Sequence, residues 1–175
     1  MAIGKVGGAE AGLNFNLVWG QMPKDVTGAF IGTPKKVKLE PGFALCKFTE
    51  YFIANRAGKI TEWWNPVQGY GIDPGLASRQ NLARVLGANP SDLVRVTSAV
   101  KENWNALTFI LQARLLKPVY GFWGQCSKME RLETGQTARP GLPKGRTKNL
   151  PGYARQFYIP HLTAGHIREI SRVQV

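Results

Sequence analysis

Apolar and polar residues alternate over Phe43–Ile53 (FALCKFTEYFI), the period-two pattern of a strand with one buried face. That alternation sets Cys46 and Phe48 on one side and Lys47 and Thr49 on the other. After a turn at Asn55–Gly58, Lys59–Pro66 (KITEWWNP) reads as a second strand. Adjacent tryptophans on a strand point to opposite faces, so one of Trp63 and Trp64 enters the core while the other faces a cleft or solvent, where it can pack or offer a ring to stack on. The period then lengthens. Leu82, Val85 and Leu86 mark one stripe of a short helix over Leu76–Leu86, with Ser78 as N-cap and Gly87 beyond its C-terminus. Arg79 and Gln80 fall in its first turn, where backbone amides and a guanidinium together favour an anion. Asn89-Pro90-Ser91 starts a second helix, and Leu93, Val96, Val100 and Trp104 share one face of it, which places Trp104 in the core.

Strand patterns dominate the rest. Leu107–Leu116 (LTFILQARLL) carries Gln112 and Arg114 on one side, and Val119–Gln125 (VYGFWGQ) and Tyr153–Pro160 (YARQFYIP) follow. Ile167, Ile170 and Val173 suggest a closing strand or short helix. The elements add up to an α+β domain with small mixed or antiparallel sheets and a few helices, without the βαβ alternation of a parallel sheet.

With 175 residues, 43% of them hydrophobic, the chain can bury one core. Residues 1–41 are rich in Gly, Ala and Lys, with one apolar patch at Leu13–Trp19 and the cluster Pro34–Lys38. They read as an extension or linker that packs loosely, with Trp19 as an anchor, ahead of a domain spanning 42–175. The formal net charge of +12 suits either an acidic partner (nucleic acid, a nucleotide, an acidic protein or a membrane face) or simply a soluble basic protein. No apolar run is long enough to span a bilayer, and the first residues lack the apolar centre of a signal peptide, so neither a membrane span nor a signal peptide is expected. Cys46 and Cys126 sit in no metal-ligand spacing and are expected as buried thiols, with no metal site.

Between the strands at Val119–Gln125 and Tyr153–Pro160 lies a basic loop. Lys128–Arg155 holds seven Lys or Arg against two Glu, which suits either a solvated loop or one that contacts phosphate. The chain has no GxSxG, P-loop or HExxH motif, so serine hydrolase, NTPase and zinc protease chemistry have no sequence support. Its two histidines, His161 and His166, are spaced so that they could form an acid/base pair for RNA cleavage, or serve only as partly exposed structural residues.

The segments SRQNLARVLG, VYGFWGQ and LPGYARQFYIP occur in an order that resembles the ADP-ribosyltransferase-like domains of bacterial polymorphic toxins. Within these they are similar to the NAD glycohydrolase toxins of the tuberculosis necrotizing toxin kind. The resemblance covers about the last two-thirds of the chain. It implies an ADP-ribosyltransferase-like fold and an activity that consumes NAD or NADP as substrate. Arg79 would hold the pyrophosphate, Trp64 or Trp123 would stack on nicotinamide, and Gln156 would orient the ribose. Gln125, in the aromatic segment, would join the dinucleotide contacts, and Lys47 stands where the wider superfamily has its first-strand arginine. A glutamine at 156 cannot act as a general base, which favours hydrolysis of the nicotinamide–ribose bond over transfer to a protein side chain. The resemblance also implies a secreted or delivered effector that acts in the cytoplasm of a target cell and is neutralised by an acidic immunity protein. A basic ribonuclease toxin that binds RNA and a non-enzymatic basic binding or assembly protein are the alternatives.

Overall fold

The computed structural model describes residues 11–55, 57–102, 104–131 and 149–175. Most of the basic loop, residues 132–148, lies outside them. The described elements run in chain order: α1 (Lys24–Thr27), β1 (Lys35–Leu39), β2 (Ala44–Thr49), β3 (Trp63–Pro66), α2 (Leu76–Val85), α3 (Pro90–Thr97), β4 (Phe109–Leu115), β5 (Val119–Gln125), β6 (Met129–Glu130), β7 (Asn149–Leu150), β8 (Arg155–Tyr158) and β9 (Ile167–Gln174). Seven strands form one sheet in the order β1-β5-β8-β3-β2-β4-β9, and its ladders are antiparallel. β6 and β7 pair separately. The architecture is α+β with a mostly antiparallel sheet and few helices.

Strand alternation explains how the sheet is buried. Leu45, Trp64, Leu111, Ala113, Trp123 and Phe157 lie on one face and form the main cluster. Leu39 from one edge strand and Ile167 from the other belong to the same cluster, so the sheet curls around it. The outer face is covered in two patches. Leu76 of α2 and Val94 of α3 sit on Cys46, Phe48 and Ile110, while Phe30 packs on Phe122 and Tyr158 with Trp19 beside it. Trp63 joins this second patch and Trp64 the inner core, which fulfils the opposite-face expectation.

Three local expectations need correction. The segment before Pro41 is not loosely packed throughout. It supplies β1, which pairs with β5 from Lys35↔Trp123 to Leu39↔Val119, and it buries Phe30. Lys36 ties it further by donating from Nζ to the Leu17 carbonyl at 2.7 Å. Secondly, the stripe Leu82, Val85 and Leu86 is exposed, and Leu76 and Ala83 are the buried positions of α2. Its N-cap is Gly75 rather than Ser78. Thirdly, α3 ends at Thr97 and Ala99 takes a left-handed φ of 52°, so the helical spacing does not reach Trp104. That indole is half exposed, with Lys101 Nζ 4.9 Å from its ring centroid. Of the closing strand or short helix expected at the C-terminus, the structure has the strand. A bulge between Gln112 and Ala113 leaves Ile170 without a partner, and Ile170 and Val173 both face outward.

Among the described residues no helix is long and apolar enough to cross a membrane. Cys46 and Cys126 are both free and buried, and burial pushes each thiol up to about 12.

One glycine fixes the path of the chain into β8. Gly152 adopts φ +77°, and a Cβ there would lie 2.7 Å from the carbonyl oxygens of Cys126 and Ser127. Its amide donates to the Val96 carbonyl, which joins this turn to α3. Gly152→Ala is expected to cost roughly 2–4 kcal/mol from the left-handed backbone and the clash combined, read as a lower urea midpoint at unchanged m-value.

Candidate functional site

The sequence YGIDPG produces a tight loop before α2. Tyr70 and Asp73 exchange backbone hydrogen bonds of 2.9 Å, and Gly75 follows with φ +82°. A Cβ on Gly75 would fall 2.7 Å from the Val67 carbonyl oxygen, so only glycine allows this approach. The loop carries Asp73 to the start of α2. Its Oδ1 accepts from the Gly75 amide at 2.9 Å, and its Oδ2 accepts from Arg79 Nη2. The anion expected at the head of this helix is therefore supplied by the chain itself.

The ion pair is buried, with the Asp73 side chain 3% and the Arg79 side chain 11% exposed. Arg79 Nη2 also donates to the Arg155 carbonyl at 3.4 Å, and Asn65 Nδ2 donates to the same oxygen at 3.0 Å. Among the described residues, the buried Nε of Arg79 has no acceptor. A buried N–H without a partner costs free energy, which an incoming acceptor would recover.

This corner opens onto a cleft of about 320 Å³ at the ends of β5 and β8. Asp73, Arg79, Gln125 and Arg155 form its polar lining, and Ile72, Leu82 and Tyr153 its apolar rim. Tyr153 is held exposed at φ 80°, its amide bonded to the Cys126 carbonyl at 3.1 Å. Two arginines, a glutamine amide and an exposed phenol ring are thus gathered at one cleft.

The residues singled out from the sequence separate into two groups. Arg79 and Gln125 meet in the cleft although 46 positions separate them. Gln156 is directly opposite Gly124 in the β5–β8 ladder, so its side chain points to the outer face, next to Arg155 and outside the cleft lining. It is 9% exposed, and no hydrogen-bond partner is found for its side-chain amide among the described residues. Lys47, Trp64 and Trp123 lie on the inner face instead. Trp64 is fully enclosed and offers no free ring face to a ligand. Trp123 is packed between Phe157, 4.3 Å away between ring centroids, and Tyr70 at 5.0 Å. The stacking assigned to either tryptophan would require the core to open, because inward strand positions are filled by packing.

Lys47 is buried on the same inner face. Its Nζ donates to Thr61 Oγ1 at 2.7 Å and sits 4.2 Å from the centroid of the Trp64 ring. The sheet separates it from Arg79, which packs on the outer side, so the two do not act on one phosphate group.

The histidines lie beyond the other end of β8. His161 Nδ1 is 3.0 Å from Asn14 Oδ1, and His166 Nδ1 is 2.8 Å from Thr163 Oγ1, so each ring is held by its own neighbour. Sequence reasoning missed Asp73, Tyr153 and Arg155. The Asp-Pro-Gly turn just before a helix was the available signal for Asp73. Tyr153 and Arg155 were counted only as part of an aromatic strand and a basic loop.

No protein-family model matches the chain. No curated protein matches it either. Among solved structures, that of Tne2 in complex with Tni2 is similar over 84% of this chain and 97% of that one, at 10% sequence identity and a TM-score of 0.47.

Two measurements check this geometry. Asp73→Ala leaves the Arg79 charge buried without its partner and is expected to cost about 3–5 kcal/mol in urea unfolding. The second concerns Lys47, whose pKa burial lowers from 10.5 to about 8 against the opposing pull of Glu62 and Glu169. Between about pH 8 and 10.4 the unfolded chain binds more protons at this residue than the folded chain, so its contribution makes stability rise with pH across that window. Lys47→Met is therefore expected to stabilise the fold by about 1–3 kcal/mol near pH 7 and to lose that advantage as the pH passes from 8 to 10.4.

Proposed function

We propose that this chain is an NAD(P)-consuming toxin domain that hydrolyses the nicotinamide–ribose bond. The observation that carries the reading is the buried Arg79 at the head of α2, fixed by Asp73 and sharing a cleft with Gln125 and Arg155 while its Nε lacks an acceptor. A pyrophosphate has the oxygens to fill that gap and to pair with Arg155. Gln156, whose side-chain amide has no hydrogen-bond partner among the described residues, lies beside this corner and would hydrogen-bond the ribose hydroxyls. Tyr153, rather than the enclosed Trp64 or Trp123, is the ring free to stack on nicotinamide or adenine.

Cleavage of the nicotinamide–ribose bond passes through an oxocarbenium-like state and releases a neutral leaving group. The reaction therefore needs the sugar held, the phosphates neutralised and water admitted, more than it needs a strong base. Asp73 is already engaged by Arg79 and the Gly75 amide, and so serves to position the arginine. The toxin would be delivered to the cytoplasm of a target cell and held in check by an acidic immunity protein. The seat for that protein is the exposed apolar surface of Ile72, Leu82, Val85, Leu86 and Tyr153 around a cleft mouth bearing Arg79 and Arg155.

The test is incubation of the purified chain with NAD, NADP and total RNA in parallel. Release of nicotinamide is expected, with a loss of about 100-fold or more for Arg79→Lys and for Gln156→Ala. Gln156→Ala removes an amide that makes no hydrogen bond among the described residues, so its effect is expected without loss of folding. Intact dinucleotides at high protein concentration refute the reading, and RNA cleavage under those conditions shifts it to the histidine-based ribonuclease.

A further inference from the structure

The last two strands of the sheet, β4 and β9, gather a second set of cationic and polar side chains, away from the cleft at the ends of β5 and β8. Arg114 and Arg168 are register partners in the β4–β9 ladder, and both are exposed. Residues directly opposed in this way share one face with Cβ atoms about 5 Å apart, and like charges so placed repel. The adjoining pair, Leu115 and Ile167, belongs to the inner core, which fixes the arginines on the outer face. The next outward pair is Gln112 with Ser171. Strict alternation would send Arg168 and Ser171 to opposite faces, because an odd number of positions separates them. The bulge at Ile170 brings both to the outer face and leaves Glu169, register partner of the core residue Ala113, on the inner one. The carboxylate next to Arg168 in sequence is thereby turned away from both arginines. Among the described residues neither guanidinium has an ion-pair partner, and the side chains of Gln112 and Ser171 make no hydrogen bond.

We infer that Arg114, Arg168, Gln112 and Ser171 form a phosphate-binding site on the outer face of the sheet, distinct from the Arg79 cleft. A single carboxylate satisfies one guanidinium fork, whereas the tetrahedrally arranged oxygens of a phosphate accept from two forks at once. Gln112 and Ser171 add amide N–H and hydroxyl O–H donors on the same face. An anion shared by the arginines replaces their mutual repulsion with two attractions, so the pair gains more from one ligand than two separated arginines would. A bulge on an edge strand ordinarily ends pairing or re-aims a side chain, and here it sets two donors side by side and removes the competing acid. A free phosphate ion and the phosphodiester backbone of a nucleic acid share the chemistry this site recognises.

The site is independent of the dinucleotide reading, and its test uses no NAD. The full chain is isotope-labelled, and the side-chain Nε–H NMR signals of Arg114 and Arg168 are assigned with the Arg114→Gln and Arg168→Gln variants. Inorganic phosphate, a short single-stranded RNA and poly-glutamate are titrated in separate arms. Both signals are expected to shift together along one saturation curve with phosphate or RNA, and Arg168→Gln is expected to weaken the Arg114 response about tenfold. Saturation by inorganic phosphate assigns the free ion, and saturation by RNA alone assigns a phosphodiester backbone. The proposal is overturned by signals that stay still in both arms, by an equal response to poly-glutamate, or by an Arg114 response unchanged in Arg168→Gln. Both arginines are exposed, so neither substitution removes a core contact, and the first readout is made on the unaltered chain.

Discussion

The buried ion pair between Asp73 and Arg79 is the contact on which the functional geometry depends. It joins the loop after β3 to the first turn of α2, and through the Arg155 carbonyl it reaches the start of β8. Two parts of the chain distant in sequence, the Asp73–Arg79 turn and Arg155, meet at one guanidinium. A paired, buried charge of this kind is a weak source of net stability, because its desolvation offsets most of the attraction. Its effect is to fix orientation. With Asp73 on one edge of the guanidinium, the unfilled Nε–H is held at a set place beside the cleft.

The curl of the sheet decides what can reach that place. Inner positions of β2, β3, β4, β5 and β8 are packed into one cluster, which removes Trp64 and Trp123 from contact with ligands and leaves Lys47 on the far side of the sheet from Arg79. Outer positions lie between two covers, the α2–α3 pair and the aromatic N-terminal segment. Gln156 points into the interval between them, and the cleft opens at the strand ends beside it. One strand thus serves two environments: Phe157 is core, while its neighbour Gln156 lies on the outer face.

The strands were largely legible in the sequence, because period-two alternation in segments such as FALCKFTEYFI and VYGFWGQ follows directly from pleated geometry. The helices were legible as helices, but their buried faces were not. In α2 the apolar spacing of Leu82, Val85 and Leu86 marks an exposed stripe, and the pattern alone cannot show whether an apolar face meets the core or a partner. Trp104 was misplaced because the left-handed Ala99 breaks the helix, and nothing in the local sequence announces that turn. Edge strand β1 was hidden by its lysines, which suit an edge exposed to water and read as a linker. For the candidate site, the motif order pointed to Arg79 and Gln125, which line the cleft, and to Gln156, which lies outside its lining. It gave no means of seeing Asp73, whose role depends on a folded turn, or the separation of Lys47 from Arg79, which depends on the sheet having two faces.

The account places a dinucleotide at the corner made by Asp73, Arg79 and Arg155. The most direct test is a crystal structure of the Gln156→Ala variant with NAD, in which slow turnover preserves the ligand. The account predicts the pyrophosphate against Arg79 Nε and Arg155, with a ring of the dinucleotide on Tyr153. A dinucleotide bound elsewhere, or a cleft that stays empty at saturating NAD, would contradict it.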